Sequence, residues 1–114
     1  MSSPPEWLVP EDVASYLDLP TADDDNLLLS TATIKAAVER RRSDLWDRTA
    51  DPAVFTVSDE VKGGAVMWAA LVFQLRNAPS GFSGYGDETM IFDALGSRRA
   101  EILRLVGWRR PVAI

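Results

Sequence analysis

The sequence predicts a small all-α bundle of about four helices, and three observations support this class. Apolar residues recur at helical spacing along several long segments. Proline, serine, aspartate and glycine stand where those segments would begin or end. The chain has 114 residues, of which 46% are hydrophobic and 25% charged, a composition typical of one globular domain.

The first helix is expected to begin at Pro10, because a fixed φ suits the first helical position. Glu11 and Asp12 favour the positive start of the helix dipole. Pro20 disfavours helical geometry at the residue before it, so we expect the helix to end near there. Residues 1–9 are expected to form a flexible N-terminal arm.

A second, long helix is expected within residues 21–48, capped by one aspartate of the run Asp23–Asp25. Its buried stripe has spacings of seven, four and seven residues and consists of Leu27, Ile34, Val38 and Leu45. A calcium loop starting at Asp23 would place Leu28 and Ile34 where glycine and glutamate are needed, so we predict no metal site.

A third helix is expected from about Asp59 to Asn77, with Ser58 as its cap. It is apolar on most sides, which predicts a central position in the bundle. The last helix is expected from about Asp93 to Val106, with Gly107 as its stop. The predicted core consists of Leu27, Ile34, Val38, Val61, Trp68, Val72, Leu75, Ile102 and Val106.

Cysteine and histidine are both absent. Thiolate chemistry, disulfides, the commonest metal ligand and the usual general base are therefore excluded. No pair of carboxylates is placed by its spacing for acid–base work. We therefore expect a protein that is not an enzyme and has no cofactor.

The N-terminus carries neither a basic segment nor an apolar run typical of a signal peptide. The apolar stretch Gly63–Leu75 is too short to span a bilayer. We therefore expect a soluble protein, synthesised in the cytoplasm, with no membrane contact.

The net charge of −5 is unevenly distributed along the chain. Residues 1–25 carry seven acids and no base, whereas residues 97–114 carry five arginines and one acid. A net acidic chain is a poor general binder of nucleic acid. The separation of an acidic N-terminal end from a basic C-terminal end instead suits a subunit whose two ends meet different surfaces.

The segment 77–90, "NAPSGFSGYGDETM", is rich in glycine and has no charge up to Gly86. A dinucleotide loop is disfavoured because the glycine order is reversed and a helix, not a strand, precedes it. Two interpretations stay open, a flexible surface loop and a loop that becomes ordered on assembly. The second interpretation uses Phe82 and Tyr85 as interface anchors.

Two arginine clusters and the C-terminal tail also allow two interpretations each. Arg40–Arg42 and Arg98–Arg99 form either solvated or subunit-bridging surfaces, or contacts to DNA. Three consecutive arginines spread over about 300° of a helix, which argues against a single DNA-facing stripe. Trp108, in the tail 108–114, is either an interface anchor or folded back on its own core.

The chain resembles the head-tail connector, or adaptor, proteins of long-tailed double-stranded DNA phages, and most closely those of actinobacterial phages. The resemblance lies in "PEDVASYLDLP", "DDDNLL", "IKAAVERRRSDLW", "VKGGAVMWAALVFQLRNAPSGFSGYGDE" and "ILRLVGWRRP". It implies a virion protein at the head-tail junction, synthesised in the host cytoplasm. Such proteins form homo-oligomeric rings, dodecameric by this resemblance, between the portal and the stopper or tail terminator. DNA passes through the channel of the ring without sequence-specific binding.

The chain is accordingly expected to divide into the N-terminal arm (1–9), a helical adaptor domain (10–107, with a loop at 78–91) and a docking tail (108–114). The loop is implied to contact neighbouring subunits through Ser80, Gly81, Phe82, Ser83, Gly84, Tyr85, Gly86, Asp87 and Glu88. The tail is implied to dock on the portal through Trp108, Arg109, Arg110 and Pro111. The alternative function is a small helical DNA-binding regulator that uses Arg40–Arg42 or Arg98–Arg99.

Overall fold

The computed structural model describes residues 6–51, 53–77 and 91–108, which form the predicted all-α bundle with a minor two-stranded hairpin. The four main helices are α1 (Pro10–Leu17), α2 (Asp25–Arg41), α3 (Asp59–Arg76) and α4 (Arg99–Val106). The hairpin joins β1 (Trp46–Asp47) to β2 (Val54–Phe55) in antiparallel register, with Trp46 opposite Phe55. Short 3-10 turns span Ser43–Leu45 and Gly96–Arg98, and residues 91–93 are α-helical.

The helix α3 lies at the centre and packs against α1, α2 and α4, as predicted from its apolar surface. Its first turn is capped by Ser58, whose hydroxyl accepts a hydrogen bond from the Val61 amide at 3.2 Å. A methyl group added at Gly64 would lie 2.8 Å from Leu105 Cβ. The absence of a side chain at Gly64 therefore lets α3 and α4 approach closely.

The predicted core is confirmed for all its members except Leu75, which is half-buried at the edge. Trp68, on α3, has no exposed surface. Burying a side chain of this size contributes on the order of 3 kcal/mol to stability.

The N-terminal arm expected at residues 1–9 is wrong for residues 6–9, which pack on the bundle. Trp7 and Leu8 are buried, and Trp7 Nε1 donates a hydrogen bond to Glu39 Oε2 at 2.9 Å. Burial of these two side chains offsets the entropy cost of ordering the segment. The domain therefore begins before Pro10.

Lys35, on α2, holds the same N-terminal segment in place. Its Nζ lies 3.0 Å from Glu6 Oε2 and 2.9 Å from Glu39 Oε2. Burial alone would lower the pKa of Lys35, but hydrogen bonds to both carboxylates outweigh burial and raise the pKa overall. Lys35 thus stays charged between the two acids.

The helix α2 is capped as predicted, because Asp24 Oδ1 accepts from the amides of Asn26 and Leu27 at 2.8 and 3.2 Å. The expected continuation of this helix toward residue 48 is wrong. It ends at Arg41, and Leu45 lies half-buried in the following 3-10 turn. Arg42 leaves helical geometry, with φ of −103° and ψ of 49°, and its side chain reaches the C-terminal end of α4.

The single last helix expected from about Asp93 to Val106 is also wrong, because the chain forms separate helical pieces there. Gly96 takes a left-handed conformation with φ of 52° and interrupts the helix. Gly107, with φ of 71°, ends α4 as predicted. Ile91 is helical and buried, so it belongs to the domain and not to a loop at 78–91.

Candidate functional site

Three aromatic side chains from separate parts of the sequence meet at one place, and we call them the aromatic triad. Trp68 lies on α3, Phe92 follows the glycine-rich segment, and Trp108 follows α4. Their ring centroids are 5.8 Å apart for Trp68 and Phe92, 5.3 Å for Trp68 and Trp108, and 5.4 Å for Phe92 and Trp108. Both contacts of Trp108 are edge-on, the geometry that aromatic quadrupoles favour.

Trp68 of the triad also holds the residues that directly follow residues 78–90. Trp68 Nε1 donates a buried hydrogen bond to the carbonyl oxygen of Ile91 at 2.7 Å. A buried indole N–H requires such a partner, and Ile91 is itself only 2% exposed. The residues on both sides of the glycine-rich segment are thereby held by the same central helix.

Two consecutive arginines at the end of α2, Arg41 and Arg42, bind carbonyl oxygens at and just after the end of α4. We call them the arginine clamp. Arg41 Nε donates to the carbonyl oxygen of Trp108 at 2.6 Å, and its guanidinium lies 5.9 Å from the indole centroid. Arg42 Nη1 donates to the carbonyl oxygen of Val106 at 3.0 Å. Both cations thus satisfy carbonyls at the negative C-terminal end of α4.

Arg42 is 5% exposed, so its charge needs a full set of partners. Its Nε and Nη2 donate to the two carboxylate oxygens of Asp44, each at 3.0 Å. A side chain at Gly107 would collide with this guanidinium, and only glycine adopts the local φ readily. The clamp therefore depends on Gly107 as well as on Asp44.

The clamp corrects the expectation that Arg40–Arg42 form a solvated face, because only Arg40 is exposed. Arg42 is buried and paired with Asp44, and Arg41 is half-buried with its Nε bound to the carbonyl oxygen of Trp108. In the second cluster, Arg98 pairs with Glu101 at 3.0 Å, which raises the pKa of Arg98. The guanidinium of Arg99 lies 5.3 Å from the centroid of Phe92.

The described residues contain only one member of the two predicted contact segments. Trp108 is half-buried against its own core, one of the two interpretations that the sequence left open. The predicted contacts at Ser80–Glu88 and Arg109–Pro111 lie outside the described residues. Portal docking through the tail stays a prediction.

Sequence reasoning missed Phe92 and Arg41 as partners of Trp108, and it missed Arg42 as the partner of the Val106 carbonyl. No local signal marks these three residues, because their contacts cross 16 to 67 positions of the chain. The run of three arginines showed strong positive charge but not which guanidinium turns inward.

The described residues hold no group of three or more histidine, cysteine, aspartate or glutamate side chains placed for a metal ion. Within the same part of the chain, no helix is long and apolar enough to cross a membrane. Comparisons with protein-family models, curated proteins and solved structures found no match.

Proposed function

We propose that this chain is a structural virion protein that forms a ring adaptor between the portal and the stopper or tail of a long-tailed phage. The ring surrounds a channel through which DNA passes. The observation that carries the proposal is the aromatic triad. It brings together Phe92, which follows segment 78–90, and Trp108, which precedes segment 109–114. These are the segments that the resemblance assigns to neighbouring subunits and to the portal.

Two contact segments that are both attached to the same buried residue suit a ring subunit. Trp68 is fully buried and belongs to the central helix, so it supplies a rigid reference point. Phe92 and Trp108 both pack on it, which fixes their relative positions. Fixing the bases of both segments before assembly lowers the entropy cost of forming each contact.

The acidic balance of the chain also fits a channel for DNA. The net charge is −5, and the acids concentrate in the first 25 residues. Binding to DNA depends mainly on neutralising phosphates. An acidic ring would therefore let DNA slide through the channel without holding it.

Removal of residues 109–114 is expected to abolish attachment to the portal while leaving the bundle folded. The truncated chain keeps Trp108, the arginine clamp and the aromatic triad, so its helical content and unfolding midpoint should match those of the full chain. Co-purification of the tagged chain with the portal protein of the same phage measures attachment, and circular dichroism measures the fold.

The matched control is Arg104→Ala, which removes a different exposed arginine near the C-terminus and leaves the tail intact. This variant should bind the portal as the unaltered chain does. Portal attachment by the truncated chain would refute the assignment of the tail.

A further inference from the structure

The amide end of Trp108 is held by the way in which α4 stops. The Trp108 amide donates to the carbonyl oxygen of Leu103 at 2.9 Å, and the Gly107 amide donates to that of Arg104 at 3.1 Å. Together with the left-handed backbone of Gly107, these two bonds form a Schellman motif. The motif is built from α4 and the two residues that follow it, so the position of the Trp108 amide is set locally.

The carbonyl end of Trp108 is held by a different helix. Arg41, on α2, donates from Nε to the Trp108 carbonyl oxygen at 2.6 Å, across 67 positions of the chain. The same guanidinium lies 5.9 Å from the centroid of the Trp108 indole. One half-buried side chain therefore contacts both the ring and the backbone of Trp108.

Holding both ends of Trp108 restricts the backbone torsion between them. The peptide bond that follows the residue is planar, so the position of the carbonyl oxygen determines the plane in which the next Cα lies. The ring contacts with Trp68 and Phe92 keep the side chain of Trp108 in place. With its amide bound to α4 and its carbonyl bound to Arg41, Trp108 has little freedom in ψ.

We propose that Arg41 is a positioning residue that sets the direction in which segment 109–114 leaves the bundle. The end of α4 determines where this segment starts, and Arg41 determines where it points. A segment that starts in one fixed direction loses less entropy when it binds a partner. The value of that direction for portal docking rests on the proposed adaptor function, whereas the direction itself does not.

The distance between two spin labels, measured by pulsed electron spin resonance, tests this role, because the chain has no cysteine of its own. One label is placed at Arg109→Cys and the other at Leu28→Cys. Leu28 is 43% exposed and lies on α2, about 20 Å along the helix from Arg41. Adding Arg41→Met should broaden the distance distribution at least about twofold, because a backbone torsion is released. An unchanged distribution would overturn the proposal.

The matched control is Arg40→Met in the same labelled chain, which removes a positive charge at the neighbouring, exposed position. It should leave the distribution as it is without the change. Broadening equal to that of Arg41→Met would show that charge, and not the contact with Trp108, holds the direction, and would overturn the proposal.

A second label pair, Leu28→Cys and Glu60→Cys, reports on the bundle without segment 109–114. Glu60 is exposed in the first turn of α3. Arg41→Met should leave this second distribution unchanged. If it broadens as well, Arg41 holds the bundle as a whole and not the direction of the segment, which would overturn the proposal.

Binding to the proposed portal partner is the second arm of the test and uses chains without cysteine. Arg41→Met keeps every residue of segment 109–114, yet it should raise the dissociation constant about threefold to tenfold, because the segment is no longer ordered before binding. Arg40→Met should bind as the unaltered chain does. Equal binding by the Arg41→Met chain would overturn the role of direction in docking.

Failure of the unaltered chain to bind the portal partner would contradict the adaptor function alone. The label distances would still decide whether Arg41 positions the segment, so the two failures are distinguishable.

Discussion

Replacement of Trp68 by alanine is expected to lower the free energy of unfolding by about 3–5 kcal/mol. The indole has no exposed surface, contacts two other aromatic rings and donates a hydrogen bond to Ile91. Its removal leaves a cavity and an unsatisfied buried carbonyl. Denaturant unfolding followed by far-ultraviolet circular dichroism measures the change.

Two further variants separate the contributions of Trp68. Trp68→Phe keeps an aromatic ring but loses the N–H donor, and it should cost less than the alanine variant. Gln74→Ala, at an exposed position of the same helix, should stay within about 0.5 kcal/mol of the unaltered chain. An alanine variant at Trp68 that unfolds at the same denaturant concentration as the Gln74 control would contradict the central role of the triad.

Replacement of Arg42 by methionine is expected to destabilise the domain by about 2 kcal/mol. The change removes the two donors that Arg42 supplies to the Asp44 carboxylate and the donor to the Val106 carbonyl. The partial exposure of Asp44 limits the penalty, since water also reaches its carboxylate. The same unfolding measurement quantifies the effect.

The matched control for Arg42 is Arg40→Met, two positions earlier on α2. Arg40 is exposed, so the change should alter stability by no more than about 0.5 kcal/mol. Equal losses for the two variants would mean that burial and pairing of Arg42 contribute nothing beyond an ordinary surface arginine.

The features that were predicted correctly are those that local sequence controls. The helix α3 begins one residue after Ser58, and its apolar spacing placed Trp68 and Val72 in the core. The aspartate run at residues 23–25 and Gly107 marked a helix start and a helix stop, because capping depends on short-range hydrogen bonds and on backbone conformation.

The features that were missed depend on contacts between distant parts of the chain. Continued helical spacing suggested that α2 extends past Arg41, but Arg42 leaves the helix to reach the end of α4. Trp7 lies in a stretch rich in serine and proline, yet Glu39 and the core hold it. Tertiary packing overrode local preference in both cases.

In the candidate site, too, local features were predicted and long-range contacts were missed. Its position in the sequence made Trp108 stand out, since it follows a helix stop and precedes two arginines. Its partners Trp68 and Phe92 could not be assigned to it, because apolar spacing shows which face is buried and not which side chains meet there.

Electron microscopy of the full chain mixed with its proposed portal partner tests the proposed adaptor function most directly. We expect averaged particles to show an additional ring, coaxial with the portal and enclosing a continuous channel. Portal particles that stay bare when the folded chain is present in excess would contradict the proposed function.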